Sequence, residues 1–333
     1  MATGYSNDRN ANFWLYDLST LPSSLSGTAY PVTDGACNGG VAIDTANDNA
    51  YLTGIFNGSD VQTAVLGLTS LPPVDVSGSP LEMSGGFRPN RITFDVTNSK
   101  MYISDPAAGL TAIDTSTLGL TLYTPGAGNI KAQGVCYDAT NDRVYTCCQN
   151  SSNQDCLAVY AASTMTQITG SPFPIPSLLL DVSNNCIAYD SVNNKVLITA
   201  NNPQGGLIIV DPTASYAPIS GSPFSTGGSD PRGIAYVDDA TYGKLIAVVN
   251  FGSNSLAIFN ASGSTPSQIT GSPFATGTCP NSVAYSQPYF LVTNSSGTAG
   301  AISVYAASAA YTVAQVSGSP FISGSQFIDV AVA

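Results

Sequence analysis

Ile269-Thr270-Gly271-Ser272-Pro273-Phe274 contains a short phrase that recurs: Gly-Ser-Pro followed by Phe or Leu also stands at Gly78–Leu81, Gly170–Phe173, Gly221–Phe224 and Gly318–Phe321. The prolines of these five copies, Pro80, Pro172, Pro223, Pro273 and Pro320, are separated by 92, 51, 50 and 47 residues, so the first gap holds two periods. Pro125, in Tyr123-Thr124-Pro125-Gly126, divides that gap into 45 and 47, and Pro31 adds a further period 49 residues before Pro80. Seven periods result, and self-similarity at a fixed spacing of this size marks a solenoid, a propeller or an array.

The contents of a period choose between these. Around Gly271 the order is Gly233 to Val237, Leu245 to Asn250, Ser255 to Phe259 and Ser267 to Pro273. Each segment is short, rich in Val, Ile, Tyr and Ala, and bounded by Gly, Asn, Asp or Pro, as strands joined by tight turns are. Four strands in some 45 to 51 residues make a propeller blade. No stretch keeps a 3.6-residue apolar period with capping signals, so almost no helix is expected and helical solenoids are disfavoured. The prediction is an all-β, seven-bladed β-propeller with four antiparallel strands per blade.

The ends of the chain support it separately. Residues 326–333 look like the first strand of a blade with nothing after it, whereas Met1 to Asn7, Asn12 to Asp17 and Ser24 to Tyr30 look like second, third and fourth strands with no first. Joining them composes blade seven from residues 326–333 and 1–31, makes 1–333 a single propeller domain, and leaves no open end to the ring.

Composition narrows function. Charged residues make up 9% of the chain against 43% hydrophobic, the formal net charge is −12, and Glu82 is the only glutamate. An acidic surface of this kind disfavours nucleic acid as a partner. Histidine is absent, which removes the commonest proton-transfer group and the commonest transition-metal ligand, and net charge should change little between about pH 5 and 8. No apolar run reaches the roughly 18 residues that would suggest membrane insertion, and no signal peptide is read at the start of the chain. Abundant Ser, Thr, Gly and Asn, with Asn-x-Ser/Thr tripeptides at Asn57, Asn150, Asn260 and Asn294, suit an extracellular or cell-surface protein, although such tripeptides also arise by chance in a chain of this composition.

A second signature, Asp-x-x-Asn, follows the first strand at Asp44/Asn47, Asp95/Asn98, Asp138/Asn141 and Asp190/Asn193. These aspartates could bind a cation. Recurrence blade by blade, without the spacing of a calcium loop, instead favours tight turns, which Asp and Asn stabilise by bonding their own backbone.

Pro231 to Val237 (Pro-Arg-Gly-Ile-Ala-Tyr-Val), Ala247 to Phe259 (AVVNFGSNSLAIF) and the Ile-Thr-Gly-Ser-Pro-Phe phrase resemble the YVTN-type propeller repeat, and most of all its lactonase-like seven-bladed subgroup. The resemblance covers the whole chain and is strongest in blades four to six. It implies a propeller, and a group that includes sugar-phosphate lactonases and surface-layer proteins. Related propeller lyases use a catalytic histidine, which this chain lacks, and no catalytic motif of the lactonases can be matched residue by residue.

First strands line the channel of a propeller. Aligning them places Asn38 or Gly39 of blade one with Asn90, Gln133, Asn185, Arg232, Asn281 and Gln326 at one mouth. Amides donate and accept, so this ring with its single Arg232 could hold a sugar, a carboxylate or a hydrated cation; alternatively its members bond one another and trapped water. Asp230, and Asp34 less clearly, are the carboxylates at that mouth. Paired carboxylates, a serine with a base, and a nucleophile elbow are not evident, which leans against an enzyme. No cofactor or metal site is expected. Of the seven cysteines, Cys136, Cys147, Cys148 and Cys156 fall in blade three without zinc spacing. Cys148 and Cys156 flank a hairpin turn and could form a disulfide in an oxidising compartment, or stay as buried thiols. The expected function is a non-catalytic binding or structural module contacting protein or glycan, or assembling with itself, with Phe87 and Tyr216 as aromatic contacts. The alternative is a lactonase-like hydrolase acting on a small sugar-derived ester at the channel mouth.

Overall fold

A computed structural model of the chain describes residues 3–10, 12–32, 36–37, 39–57, 60–83, 89–107, 109–123, 131–175, 187–201, 206–295, 301–322 and 325–332. Seven antiparallel sheets stand around one axis, each with four strand positions. Their innermost strands are Val41–Asp44, Arg91–Asp95, Lys131–Asp138, Ile187–Asp190, Pro231–Asp239, Pro280–Ser286 and Phe327–Val332; each touches the next in that order and the last touches the first. The seventh sheet is the predicted composite: Phe327–Val332 pairs with Thr3–Asp8, which pairs with Asn12–Asp17, which pairs with Ser26–Pro31. Among the described residues the only helical segments are single 3-10 turns at Leu18–Thr20 and Pro212–Ala214, and no helix is long and apolar enough to cross a membrane.

The middle strands of a blade are covered on both faces by neighbouring blades, so they read as unbroken apolar runs, as buried strands do. In Gly243–Asn250 every residue from Leu245 to Asn250 is buried. Alternation then sorts the side chains: Leu245, Ala247 and Val249 enter the core shared by blades five and six, while Ile246 and Val248 enter the one shared by blades four and five.

The Gly-Ser-Pro phrase interrupts the outermost strand. Ser267 to Pro273, read from sequence as one strand, is instead two short pieces, Ser267–Gln268 and Phe274–Ala275, both paired with Ser255–Asn260. Between them the main chain leaves the ladder and the serine hydroxyl replaces its acceptor. Ser272 Oγ accepts from the Ile258 amide at 2.9 Å, and Ser79, Ser171, Ser222 and Ser319 accept from Val65, Val159, Ile209 and Val304 at 2.9, 2.9, 3.1 and 2.8 Å. The preceding glycines hold φ between +85° and +96°, where a side chain is strained, and the rings of Phe173, Phe224, Phe274 and Phe321 lie over them. Ser272→Ala removes the acceptor of a fully buried amide, and should lower the urea-unfolding free energy by about 1–3 kcal/mol. An unchanged denaturation midpoint would show that water replaces the hydroxyl there.

Candidate functional site

The inner strands enclose a cavity of about 310 Å³ along the axis, lined by every blade, with Val41, Ile92, Val135, Ile187, Ile234 and Val283 among its walls. At the end where these strands begin lie Asn90, Gln133, Arg232, Asn281 and Gln326; Asn38 and Asn185 lie outside the described residues.

Two of these amides bridge blades. Asn90 Nδ2 donates to the Gln133 carbonyl at 2.9 Å, and Asn281 Nδ2 donates to the Ile328 carbonyl at 2.6 Å. In each case a hydroxyl of the neighbouring second strand reaches the same carbonyl: Ser104 Oγ at 3.1 Å and Thr293 Oγ1 at 3.4 Å. Asn7 does likewise between blades seven and one, donating to the Gly39 carbonyl at 2.9 Å. Gln133 is fully buried, its Nε2 has no partner among the described residues, and its carbonyl serves as the acceptor for blade two. The Gln326 carbonyl accepts from the Arg9 amide at 3.1 Å.

Arg232 is also engaged. Its Nη2 donates to Asp230 at 2.9 Å, its Nη1 to Asn281 Oδ1 at 3.4 Å, and the guanidinium carbon lies 3.3 Å from the centroid of the Phe251 ring. Stacking of this kind holds a cation in place, so an anionic ligand would have to compete with Asp230. Nε is buried without a partner among the described residues.

A further arginine of the channel, Arg91, was not singled out by sequence. It follows Asn90 and opens the first strand of blade two, one residue past the amide position that repeats from blade to blade. Arg91 reaches across the axis: Nη1 lies 3.7 Å from Asp329 Oδ1 of blade seven, and Nη2 donates to the Asn281 carbonyl of blade six at 3.5 Å. Asp329 Oδ2 in turn accepts from the Val41 amide of blade one at 3.1 Å, and its own amide donates to Asn7 Oδ1 at 3.0 Å. Gly40 leaves room for this carboxylate, since a Cβ there would stand 2.9 Å from Oδ2. Four blades therefore meet at one buried charge pair.

At the opposite ends of the inner strands the Asp-x-x-Asn motifs are turns. In each, one carboxylate oxygen accepts one or two backbone amides, as Asp190 Oδ1 does from Val192 and Asn193 at 3.0 and 2.9 Å, while the other accepts the asparagine Nδ2, at 2.7 to 2.8 Å in all four. Tyr102 and Tyr145 add their hydroxyls to Asp95 and Asp138, and burial, joined by these carboxylates, pushes both phenols far above their ordinary pKa. Among the described residues no three His, Cys, Asp or Glu side chains come together as metal ligands would. The described carboxylates at the mouth and in the channel, Asp230 and Asp329, each lie against an arginine.

Cys148 and Cys156 are directly opposite on adjacent strands, both buried, with Sγ atoms 2.6 Å apart. Phe87 lies outside the described residues. Tyr216 is not a loop contact: its ring stacks on Phe173 at 4.2 Å and packs near Tyr145 at 6.3 Å, between blades three and four. Asn294 is buried, with Nδ2 donating to the Ala301 carbonyl at 2.8 Å, so it is closed to glycosylation in the folded chain.

No family model matches the chain, and no curated protein matches it. Solved structures do. A Bacteroides uniformis protein assigned as a 6-phosphogluconolactonase matches with a TM-score of 0.69 at 12% identity, over 100% of this chain and 99% of that one. A Bacteroides fragilis protein with the same assignment gives 0.63 at 11%, over 100% and 98%. A chain of the nidogen/laminin complex gives 0.53 at 9%, over 100% and 98%. At such identities the likeness establishes the seven-bladed propeller, and a fold of this breadth hosts both binding proteins and enzymes.

Proposed function

We propose that the chain is a YVTN-type propeller of the cell exterior that serves as a binding or assembly module for protein or glycan, and that it does not hydrolyse lactones. The observation that carries this reading is where polar groups are engaged and where, among the described residues, a strand edge has no partner strand. At the channel mouth the side chains of Asn90, Asn281 and Arg232 are engaged in contacts between blades. The perimeter, by contrast, offers hydrogen-bonding edges. In blades one and three to six the outer strand is cut by the Gly-Ser-Pro phrase, but Leu120–Tyr123 of blade two and Ser26–Pro31 of blade seven pair residue for residue without a break. Leu120 and Leu122 are 39% and 45% exposed on such an edge, and neither edge carries a charged residue. Unblunted edges invite strand addition by another chain.

Light scattering over a concentration series tests the reading. A mass that grows with concentration, and that Leu122→Lys returns to the monomer, is the expected result. A constant monomer mass together with hydrolysis of gluconolactone above its spontaneous rate, lost in Arg232→Ala, would replace it with the lactonase-like alternative.

In an oxidising compartment we further expect Cys148 and Cys156 to lose two protons and two electrons to a disulfide oxidant and close a bond. Intact-mass measurement of protein secreted by an oxidising host should then fall two hydrogens short of the reduced mass, with the deficit gone in Cys156→Ala; a full set of free thiols would remove support for exterior localisation.

A further inference from the structure

Between the third and fourth strands of a blade, the chain leans onto the preceding blade and fills the cleft between them. Leu118 of blade two packs with Val65, Leu81 and Met83 of blade one, and Met165 of blade three packs with Tyr102 and Ala112 of blade two. Tyr216 of blade four covers Tyr145 and Phe173 of blade three. Tyr311 of blade six donates its amide to the Tyr242 carbonyl of blade five at 3.1 Å, and its ring lies over Gly243, where a Cβ would be 2.6 Å away.

Blade five breaks the pattern. Its segment is Ser262-Gly263-Ser264-Thr265-Pro266, with nothing bulky to insert, and here the structure holds a cavity of about 630 Å³ between blades four and five. Leu197, Ile209, Ile219 and Ile246 form its apolar floor, and Lys195 and Asp211 stand at its polar rim with Nζ and Oδ2 3.1 Å apart. Asp190 and Asn193 also border it, but they are engaged in their turn, and Asn193 Nδ2 additionally donates to the Ala261 carbonyl at 3.3 Å.

The neighbouring cleft shows what such a space accepts. The Tyr216 hydroxyl lies beside Arg143, the residue that opens the second strand of blade three, Arg143–Gln149. Lys195 opens the corresponding strand of blade four, Lys195–Ala200. We propose that the cleft between blades four and five is a binding site for a small phenolic molecule, its ring on the apolar floor and its hydroxyl between Lys195 and Asp211. A phenol accepts from an ammonium and donates to a carboxylate, whereas a carboxylate ligand would meet Asp211 and an amine would meet Lys195. The volume lies in the small-molecule range of roughly 300–1,000 Å³ and exceeds the single ring that fills each neighbouring cleft, which favours a free, larger phenol over one inserted side chain.

Calorimetric titration with 2-naphthol tests this, with 2-methoxynaphthalene as the probe that cannot donate. Wild-type protein should bind 2-naphthol, and bind the ether more weakly. Lys195→Met, a change at a partly exposed residue, should weaken 2-naphthol binding about tenfold through loss of one charge-assisted hydrogen bond. Ser264→Tyr supplies the missing plug, and should abolish binding while raising the melting temperature; if that variant does not fold, Lys195→Met still decides. Absence of 2-naphthol binding to the wild type, equal affinity in Lys195→Met, or binding of N-acetyltyrosinamide alone would overturn the assignment, the last pointing to a partner's tyrosine instead.

Discussion

Deletion of residues 327–333 is expected to abolish cooperative unfolding, so that the far-UV circular dichroism melt loses its sigmoid and the protein binds a hydrophobic dye at room temperature. The strand removed is the first strand of blade seven, and it is the one whose loss opens the ring. Without it Thr3–Asp8, now paired through Gly4↔Val332, Tyr5↔Ala331, Ser6↔Val330 and Asn7↔Asp329, becomes an unpaired edge facing the channel. Phe327, Ile328 and Val330 leave the core, and Trp14 loses the edge-to-face contact with Phe327 at 5.3 Å. Each such side chain contributes about 1.5–3 kcal/mol when fully buried. Three of them, with the broken ladder and the loss of Asp329, approach the whole stability of a typical domain, about 5–15 kcal/mol. The inner strands of blades one and six also lose the neighbour between them, so the damage is not confined to one blade. A truncated protein that melts like the full chain would mean that the ring does not depend on this closure.

The architecture was legible because a period of some fifty residues is carried by residues whose backbone role tolerates little else. Gly in the left-handed region and a serine hydroxyl aimed at a strand amide recur wherever the outer strand must leave the ladder, so the phrase repeats from blade to blade while the residues around it differ. The same phrase was misread locally. Ser267 to Pro273 has strand composition, and nothing in the residues announces that a side-chain oxygen takes over from the main chain halfway along. The channel mouth was legible as a place but not as a role: an asparagine pointing at a carbonyl of the next blade has the same sequence as one pointing at a sugar. Tyr216 shows the converse error, since an aromatic in a polar loop reads as a contact residue when its ring is the wedge between two blades. Asp-x-x-Asn was read as a turn because Asp bonds its own backbone there, and the carboxylates do accept backbone amides, whereas the bond from the asparagine side chain to the second carboxylate oxygen was not legible in the residues.

Arg91→Ala should cost about 3–5 kcal/mol in urea unfolding, the usual penalty for leaving a buried charge without its partner. Arg91 and Asp329 are 6% and 8% exposed, and the guanidinium also reaches the Asn281 carbonyl, so the substitution strips blades two, six and seven of a shared contact. Arg232→Ala at the mouth offers the contrast. Arg232 and Asp230 side chains are 14% and 27% exposed, water can take over part of their solvation, and the expected cost falls to about 1 kcal/mol. Asp329→Asn in the Arg91→Ala background separates charge from packing. If the penalty is an uncompensated carboxylate, the double variant should recover part of the loss, because the neutral amide no longer needs a counter-charge and its oxygen can still accept from the Val41 amide. If the double variant is instead weaker than Arg91→Ala alone, the carboxylate's bond to Val41 and the arginine's reach across the channel act independently, and the centre of the ring is held by its hydrogen bonds and not by its ion pair.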